Sequence, residues 1–178
     1  MKVLFTFTCL LICTLSFSQS NRKTDTIGTD LYDAMYLIKD NILTKELDGK
    51  TKVYQNFNFG NLTSVDILNP LEIVLFYSDF NTVLVLDNEL NLKHTIPFAN
   101  NIKFASKAIT DMIWVYNEDE NKLQLYDYKS KTVSISSNVL TNFKPTAMET
   151  DFNTVQLIGV DKTLVFNRYL YLENTLIH

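Results

Sequence analysis

Short apolar blocks separated by polar turns recur along this chain about every 40 residues. The clearest copy has blocks at residues 74–77, 83–86 and 94–98. Two later copies have blocks at 113–116, 123–127 and 132–135, and at 155–158, 163–167 and 172–177. The first copy is weaker, with blocks at 34–38, 42–47 and 51–54. A further block precedes each of the three strong copies, at 64–68, 106–109 and 146–149.

Each repeat therefore predicts about four short strands joined by hairpins, which is the content of one β-propeller blade. Several blocks are apolar at consecutive positions, as in strands that are covered on both faces. A two-sheet sandwich need not repeat every four strands, and a parallel β-helix repeats over a shorter span. Only residues 33–47 could also be read as a helix. The chain is predicted to be all-β and β-propeller-like, with four blade-type repeats in either a closed four-bladed ring or an incomplete ring.

The first 18 residues have the pattern of a secretory signal peptide. Lys2 precedes an apolar stretch at 3–17, and Ser16-Phe17-Ser18 fits a cleavage site before Gln19. This stretch is too short to span a bilayer, and no other segment is as apolar. We expect a signal peptide at 1–18, a polar N-terminal segment at 19–30 and a single repeat domain at 31–178. The mature chain would be exported without a membrane span, to the periplasm or the extracellular space.

The composition excludes several kinds of site. Both cysteines, Cys9 and Cys13, lie within the signal segment, so the mature chain would have no disulfide, zinc–thiolate site or cysteine nucleophile. The net charge of the whole chain is −4, and the chain has no basic run. Nucleic-acid binding is disfavoured, because neutralising phosphates requires a cationic surface.

The length of the chain raises a question about ring closure. Four blades would use the whole mature chain, whereas propellers usually close a ring of four to eight blades. Three explanations are open: a rare four-bladed ring, self-association of copies, or truncation of a longer protein. We favour truncation.

Part of the chain resembles a known group of proteins. Residues 64–77, 79–83 and 86–91, with the blocks at 113–116 and 125–128, look like a family of exported, uncharacterised bacterial proteins with β-propeller-like repeats. The likeness covers roughly residues 50 to 155. Members of that family extend further at the C-terminus by roughly two blades, so the resemblance implies a C-terminally truncated member. It implies no catalytic residue.

Acidic residues recur just before the second strand of each repeat and are the candidate binding residues. They are Asp33, Glu72, Asp111 and Asp151. In a propeller they would lie at equivalent turns of one rim, where carboxylates could attract a cation or a basic partner. The alternative, which we favour, is that they cap turns and solvate the rim. No segment has the spacing of a calcium loop, so no metal site and no cofactor are predicted.

Catalytic chemistry has little support in this sequence. His94 and His178 lack the partners of a triad or a histidine metal site. We predict an exported, non-enzymatic interaction or scaffold module that presents loops to an envelope or extracellular protein.

Two alternatives remain open. One is a carbohydrate-binding or hydrolytic propeller with an acidic central site that includes Asp66 and Glu149. The other is a truncated, non-functional remnant, which would expose an apolar face around Leu164, Val165 and Phe166.

Overall fold

The computed structural model describes residues 25–178, which form four antiparallel four-stranded sheets, here called blades 1 to 4. Blade 1 contains β1 (Asp25–Thr29), β2 (Met35–Lys39), β3 (Ile42–Leu47) and β4 (Lys50–Gln55). Blade 2 contains β5 (Ser64–Asp66), β6 (Ile73–Tyr77), a 3₁₀ turn (Ser78–Phe80), β7 (Thr82–Leu86) and β8 (Leu92–Pro97). Blade 3 contains β9 (Ile102–Lys107), β10 (Met112–Asn117), β11 (Lys122–Asp127) and β12 (Thr132–Ser136). Blade 4 contains β13 (Ala147–Thr150), β14 (Thr154–Ile158), β15 (Lys162–Asn167) and β16 (Leu172–Ile177).

The predicted all-β, propeller-like class with four repeats is confirmed, because every sheet contains four strands in chain order. The predicted signal peptide at 1–18 lies outside the described residues. Strand β1 lies inside the segment expected to be a polar extension, and it pairs with β2 as the first strand of blade 1. Strand β9 ends at Lys107, whereas the apolar block at 106–109 continues into the turn before β10.

Neighbouring blades pack face to face, and alternate residues of the central strands contact opposite neighbours. In β6, Ile73, Leu75 and Tyr77 belong to the cluster shared with blade 1, while Val74 and Phe76 belong to the cluster shared with blade 3. A third cluster joins blades 3 and 4. This double coverage explains why β6 is apolar at every position.

The ring of blades is not closed. Within residues 25–178 three apolar clusters join blades 1–2, 2–3 and 3–4, and none joins blade 4 to blade 1. Leu164 and Phe166 are buried against blade 3, so they do not form the exposed apolar face expected of a remnant. Val165, between them in β15, is only partly buried and points to the uncovered side of blade 4.

Asparagines between the second and third strands attach blades 1 to 3 to the segment that leads to, or begins, the next blade. Asn41, Asn81 and Asn121 all have positive φ, which asparagine tolerates better than most residues. The Asn41 Oδ1 accepts a hydrogen bond from the Leu62 amide (3.2 Å), and the Asn81 Oδ1 accepts one from the Ile102 amide (3.1 Å). The Asn121 side chain donates to the Leu140 carbonyl (2.7 Å). These clamps define the end of the blades that we call the linker face.

Candidate functional site

The opposite end of the blades, which we call the turn face, is formed by two turns of every blade. Antiparallel pairing places the turn between the first and second strands beside the turn between the third and fourth strands. The turn face therefore comprises residues 30–34, 67–72, 108–111 and 151–153, together with 48–49, 87–91, 128–131 and 168–171.

The four predicted acidic residues all lie on the turn face, but they occupy different environments. Glu72 and Asp111 are brought together by Tyr128, whose hydroxyl lies 2.9 Å from Glu72 Oε1 and 3.5 Å from Asp111 Oδ1. Asp151 caps its own turn by accepting hydrogen bonds from the Asn153 amide (2.6 Å) and the Thr154 amide (2.7 Å). Asp33 is exposed, and its carboxylate has no hydrogen-bond or ionic partner among residues 25–178. The structure thus does not bring the four into one carboxylate ring.

Glu72 is the centre of a charged network between blades 2 and 3. Its Oε2 lies 3.0 Å from the ammonium of Lys107, and its Oε1 lies 3.3 Å from that of Lys93. Lys107 is fully buried and also donates to the carbonyls of Thr110 and Met112 (3.2 Å to the latter). All three donors of this buried ammonium therefore have acceptors, as burial of a charge requires.

The network shifts the ionisation of its members. Burial opposes ionisation of Glu72, but the hydrogen bond and charge of Lys107, with the donors of Tyr128 and Lys93, outweigh it and lower the pKa of Glu72. Burial also lowers the pKa of Lys107, although Glu72 partly offsets this. Burial and the adjacent Glu72 carboxylate raise the pKa of Tyr128. Glu72 is therefore engaged in holding two blades together.

A second buried network joins blades 1 and 2, and it was not found from the sequence. Asp30 accepts hydrogen bonds from the Tyr32 amide (2.8 Å) and the Tyr36 hydroxyl (2.9 Å), and it lies 3.7 Å from the ammonium of Lys45. Lys45 also donates to the Asn88 carbonyl of blade 2 (3.1 Å). The buried position of Lys45 could have been predicted by aligning the repeats. Lys45 stands where the other three repeats have an aliphatic residue: Val85, Leu125 and Val165.

The first strands of the blades line a groove of about 320 Å³ near the axis of the stack. Asp66 of β5 accepts hydrogen bonds from the Ser106 hydroxyl and the Lys107 amide (2.7 Å), and Ser106 Oγ lies 2.6 Å from Thr150 Oγ1. Glu149 is exposed and points away from the groove, because its neighbours in β13 line it. Asp66 and Glu149, the acids suggested for a central site, are therefore not brought together.

The turn face exposes several large apolar side chains, and one of them lies beside two grooves. Tyr32 is 59% exposed and lies between a groove of about 360 Å³ facing blade 2 and one of about 590 Å³ on the uncovered side of blade 1. Other large apolar side chains exposed on this face are Leu31, Leu71, Tyr169 and Tyr171. Sequence reasoning did not single out Tyr32, which lies in the turn between β1 and β2.

Two further findings concern the described part of the chain. No group of three or more histidine, cysteine or acidic residues is arranged there to hold a metal ion. Among residues 25–178, no helix is long and apolar enough to cross a membrane.

Several solved structures share this arrangement of sheets. A catalytically inactive virginiamycin B lyase from Staphylococcus aureus, solved with quinupristin, is 14% identical, matches 83% of this chain and 54% of its own, and superposes with a TM-score of 0.60. BamB from Moraxella catarrhalis is 14% identical. The match covers 87% of this chain and 51% of BamB, with a TM-score of 0.58. The Neurospora crassa Pan2 WD40 domain is 11% identical. The match covers 85% of this chain and 50% of the Pan2 domain, with a TM-score of 0.58.

These likenesses show the fold. At such low identity they show nothing about activity, and the chain spans about half the length of each of these three structures. No protein-family model matches the chain, and no curated protein does either. The resemblance to exported bacterial repeat proteins accordingly stays a prediction.

Proposed function

We propose that this protein is an exported, non-enzymatic interaction module that binds a protein partner through its turn face. The observation that carries the proposal is the exposure of Leu31, Tyr32, Leu71, Tyr169 and Tyr171 on turns of one end of the stack. Tyrosine and other large apolar residues exposed together are typical of protein interfaces.

The rigidity of the stack supports this role. The turns are carried by blades joined by apolar clusters and by the buried Glu72–Lys107 pair, so they are held in place before a partner arrives. Binding then requires little ordering of loops, which favours affinity. Repeat scaffolds commonly present such surfaces without any catalytic group.

Other features weigh against a hydrolytic site and support export. Asp66 and Glu149, the acids suggested for a central site, do not converge, since Asp66 is engaged between blades and Glu149 faces outward. Export rests on the signal pattern at residues 1–18. An envelope or extracellular protein is therefore the expected class of partner.

Site-specific photo-cross-linking in the exported fraction of the source cells tests the proposal. A photoreactive amino acid is placed at Leu71 or Tyr171 on the turn face, and at Val139 or Val160 on the linker face, which are similarly exposed. We expect one discrete cross-linked product from the turn-face positions, reduced by excess unlabelled protein. Cross-links that form only from Val139 or Val160 would contradict the proposal.

A further inference from the structure

The uncovered side of blade 1 has a groove at its turn end whose lining is both acidic and apolar. This blade-1 groove, of about 590 Å³, is lined in part by Tyr32, Asp33, Met35, Glu46 and Asp48. We propose that it binds a lysine or arginine side chain of the protein partner. The inference rests on the proposed function, and it names the chemistry that the partner presents at one point of the turn face.

The three carboxylates of the groove are available to a ligand. Asp33, Glu46 and Asp48 are exposed, and none has a side-chain partner among residues 25–178. This separates them from Glu72, which is already paired with Lys107. No lysine or arginine of the described residues lines the groove, since Lys45, Lys50 and Lys52 line the groove on the other side of the sheet. The charge lining the groove is therefore negative and complementary to a basic side chain.

The apolar part of the groove suits the rest of such a side chain. Tyr32 is 59% and Met35 is 44% exposed, and both lie within the groove. An aromatic face attracts a cation, and a flexible thioether packs against an aliphatic stem. Lysine and arginine combine a charged head with such a stem.

The uncovered side of blade 1 differs from the equivalent side of the other blades in a way that disfavours packing of another blade against it. The last apolar position of the third strand is Leu86, Tyr126 or Phe166 in blades 2 to 4, and each packs against the preceding blade. In blade 1 the same position is Glu46, directly opposite Met35. A blade of a second copy would bury the Glu46 carboxylate without a counter-charge, which is costly. A basic segment would supply that counter-charge.

A peptide titration tests the inference. The probe is a short peptide with two arginines, and its control is the same peptide with citrulline, which is neutral and of similar shape. The readout is the NMR signal of the Met35 methyl group in selectively labelled protein at low salt. We expect saturable shifts of this signal with the arginine peptide and none with the citrulline peptide.

Two charge-matched double variants test whether the arginine peptide binds at the carboxylates of the blade-1 groove. Glu46→Gln with Asp48→Asn should raise the Kd of the arginine peptide about tenfold, as expected from losing two carboxylates close to the cation. Glu149→Gln with Asp161→Asn removes the same charge from exposed positions elsewhere and should change the Kd less than about twofold. Equal binding of the citrulline peptide, or equal weakening by the two double variants, would overturn the inference.

The two proposals fail separately. If the arginine peptide leaves Met35 unchanged while cross-links still form from Leu71 and Tyr171, the blade-1 groove is wrongly assigned and the turn-face function stands. If the turn-face cross-links are also absent, the proposed function fails as well.

Discussion

The ammonium of Lys107 in blade 3 lies 3.0 Å from a carboxylate oxygen of Glu72 in blade 2. Lys107 is fully buried, and the Glu72 side chain is 16% exposed. The pair therefore connects two blades at a position where water has little access. It also shows that a repeated acidic position can serve packing in one blade and remain free in another, as Asp33 does.

Replacing Lys107 by methionine should destabilise the protein strongly. The substitution keeps most of the side-chain volume but leaves Glu72 with only Lys93 and Tyr128, so we expect a loss of about 3 kcal/mol in the free energy of unfolding. Urea denaturation measures it. The control is Lys122→Met, which removes a partly exposed partner of Glu120 and should cost less than about 1 kcal/mol. Equal stability of the two variants would contradict the buried network.

The Glu72 carboxylate should make stability depend on acidity. Because its pKa is lowered in the folded state, its contribution is present above the ordinary glutamate pKa of about 4.3 and is lost as the pH falls through the lower folded value. The stability difference between the wild type and Glu72→Gln should therefore shrink below about pH 4. Denaturation midpoints from pH 6 to pH 2 would show this. A difference that stays constant over this range would contradict the lowered pKa.

The asparagine hydrogen bonds of the linker face predict which of two substitutions at Asn81 lowers the stability more. This residue has φ of 46° and accepts the Ile102 amide. Asn81→Ala loses the hydrogen bonds and strains the backbone, for about 2 kcal/mol, whereas Asn81→Gly loses only the bonds, for about 1 kcal/mol. Chemical denaturation compares the two. If alanine were tolerated as well as glycine, the left-handed turn would not be part of the clamp.

The open end of blade 4 is tested by two adjacent positions in β15. Leu164 is buried against blade 3, so Leu164→Ala should cost about 2–4 kcal/mol. Val165 points to the uncovered side, so Val165→Ala should cost less than about 1 kcal/mol. Thermal or urea unfolding gives both values. A larger loss at Val165 would mean that this face is covered in solution.

The repeat and the sheets were predictable because the central strands are apolar on both faces. The run Ile73–Tyr77 is the clearest case. Strand β1 was missed because Ile27 is its only large apolar residue, and β9 was misplaced because Ala108 and Ile109 continue the apolar block into a turn.

The networks were harder to predict than the strands. Tyr128 and Glu72 are 56 residues apart, so their contact depends on how blades stack and not on the period. The acidic period located four equivalent turns but could not show that Lys107 pairs with only one of those acids. The buried position of Lys45 could be predicted by aligning the repeats, because the other three repeats have an aliphatic residue at that position.

The proposed binding surface for a protein partner is the turn face and not the linker face. One binding experiment tests this choice of surface. Two variants and the wild type are immobilised, and the amount of the cross-linked partner that each retains from the exported fraction of the source cells is compared. Leu31→Ser with Tyr171→Ser alters exposed residues of the turn face, and Phe57→Ser with Val160→Ser alters equally exposed residues of the linker face. We expect the turn-face variant to lose the partner and the linker-face variant to retain it. Retention by the turn-face variant with loss by the linker-face variant would contradict this expectation.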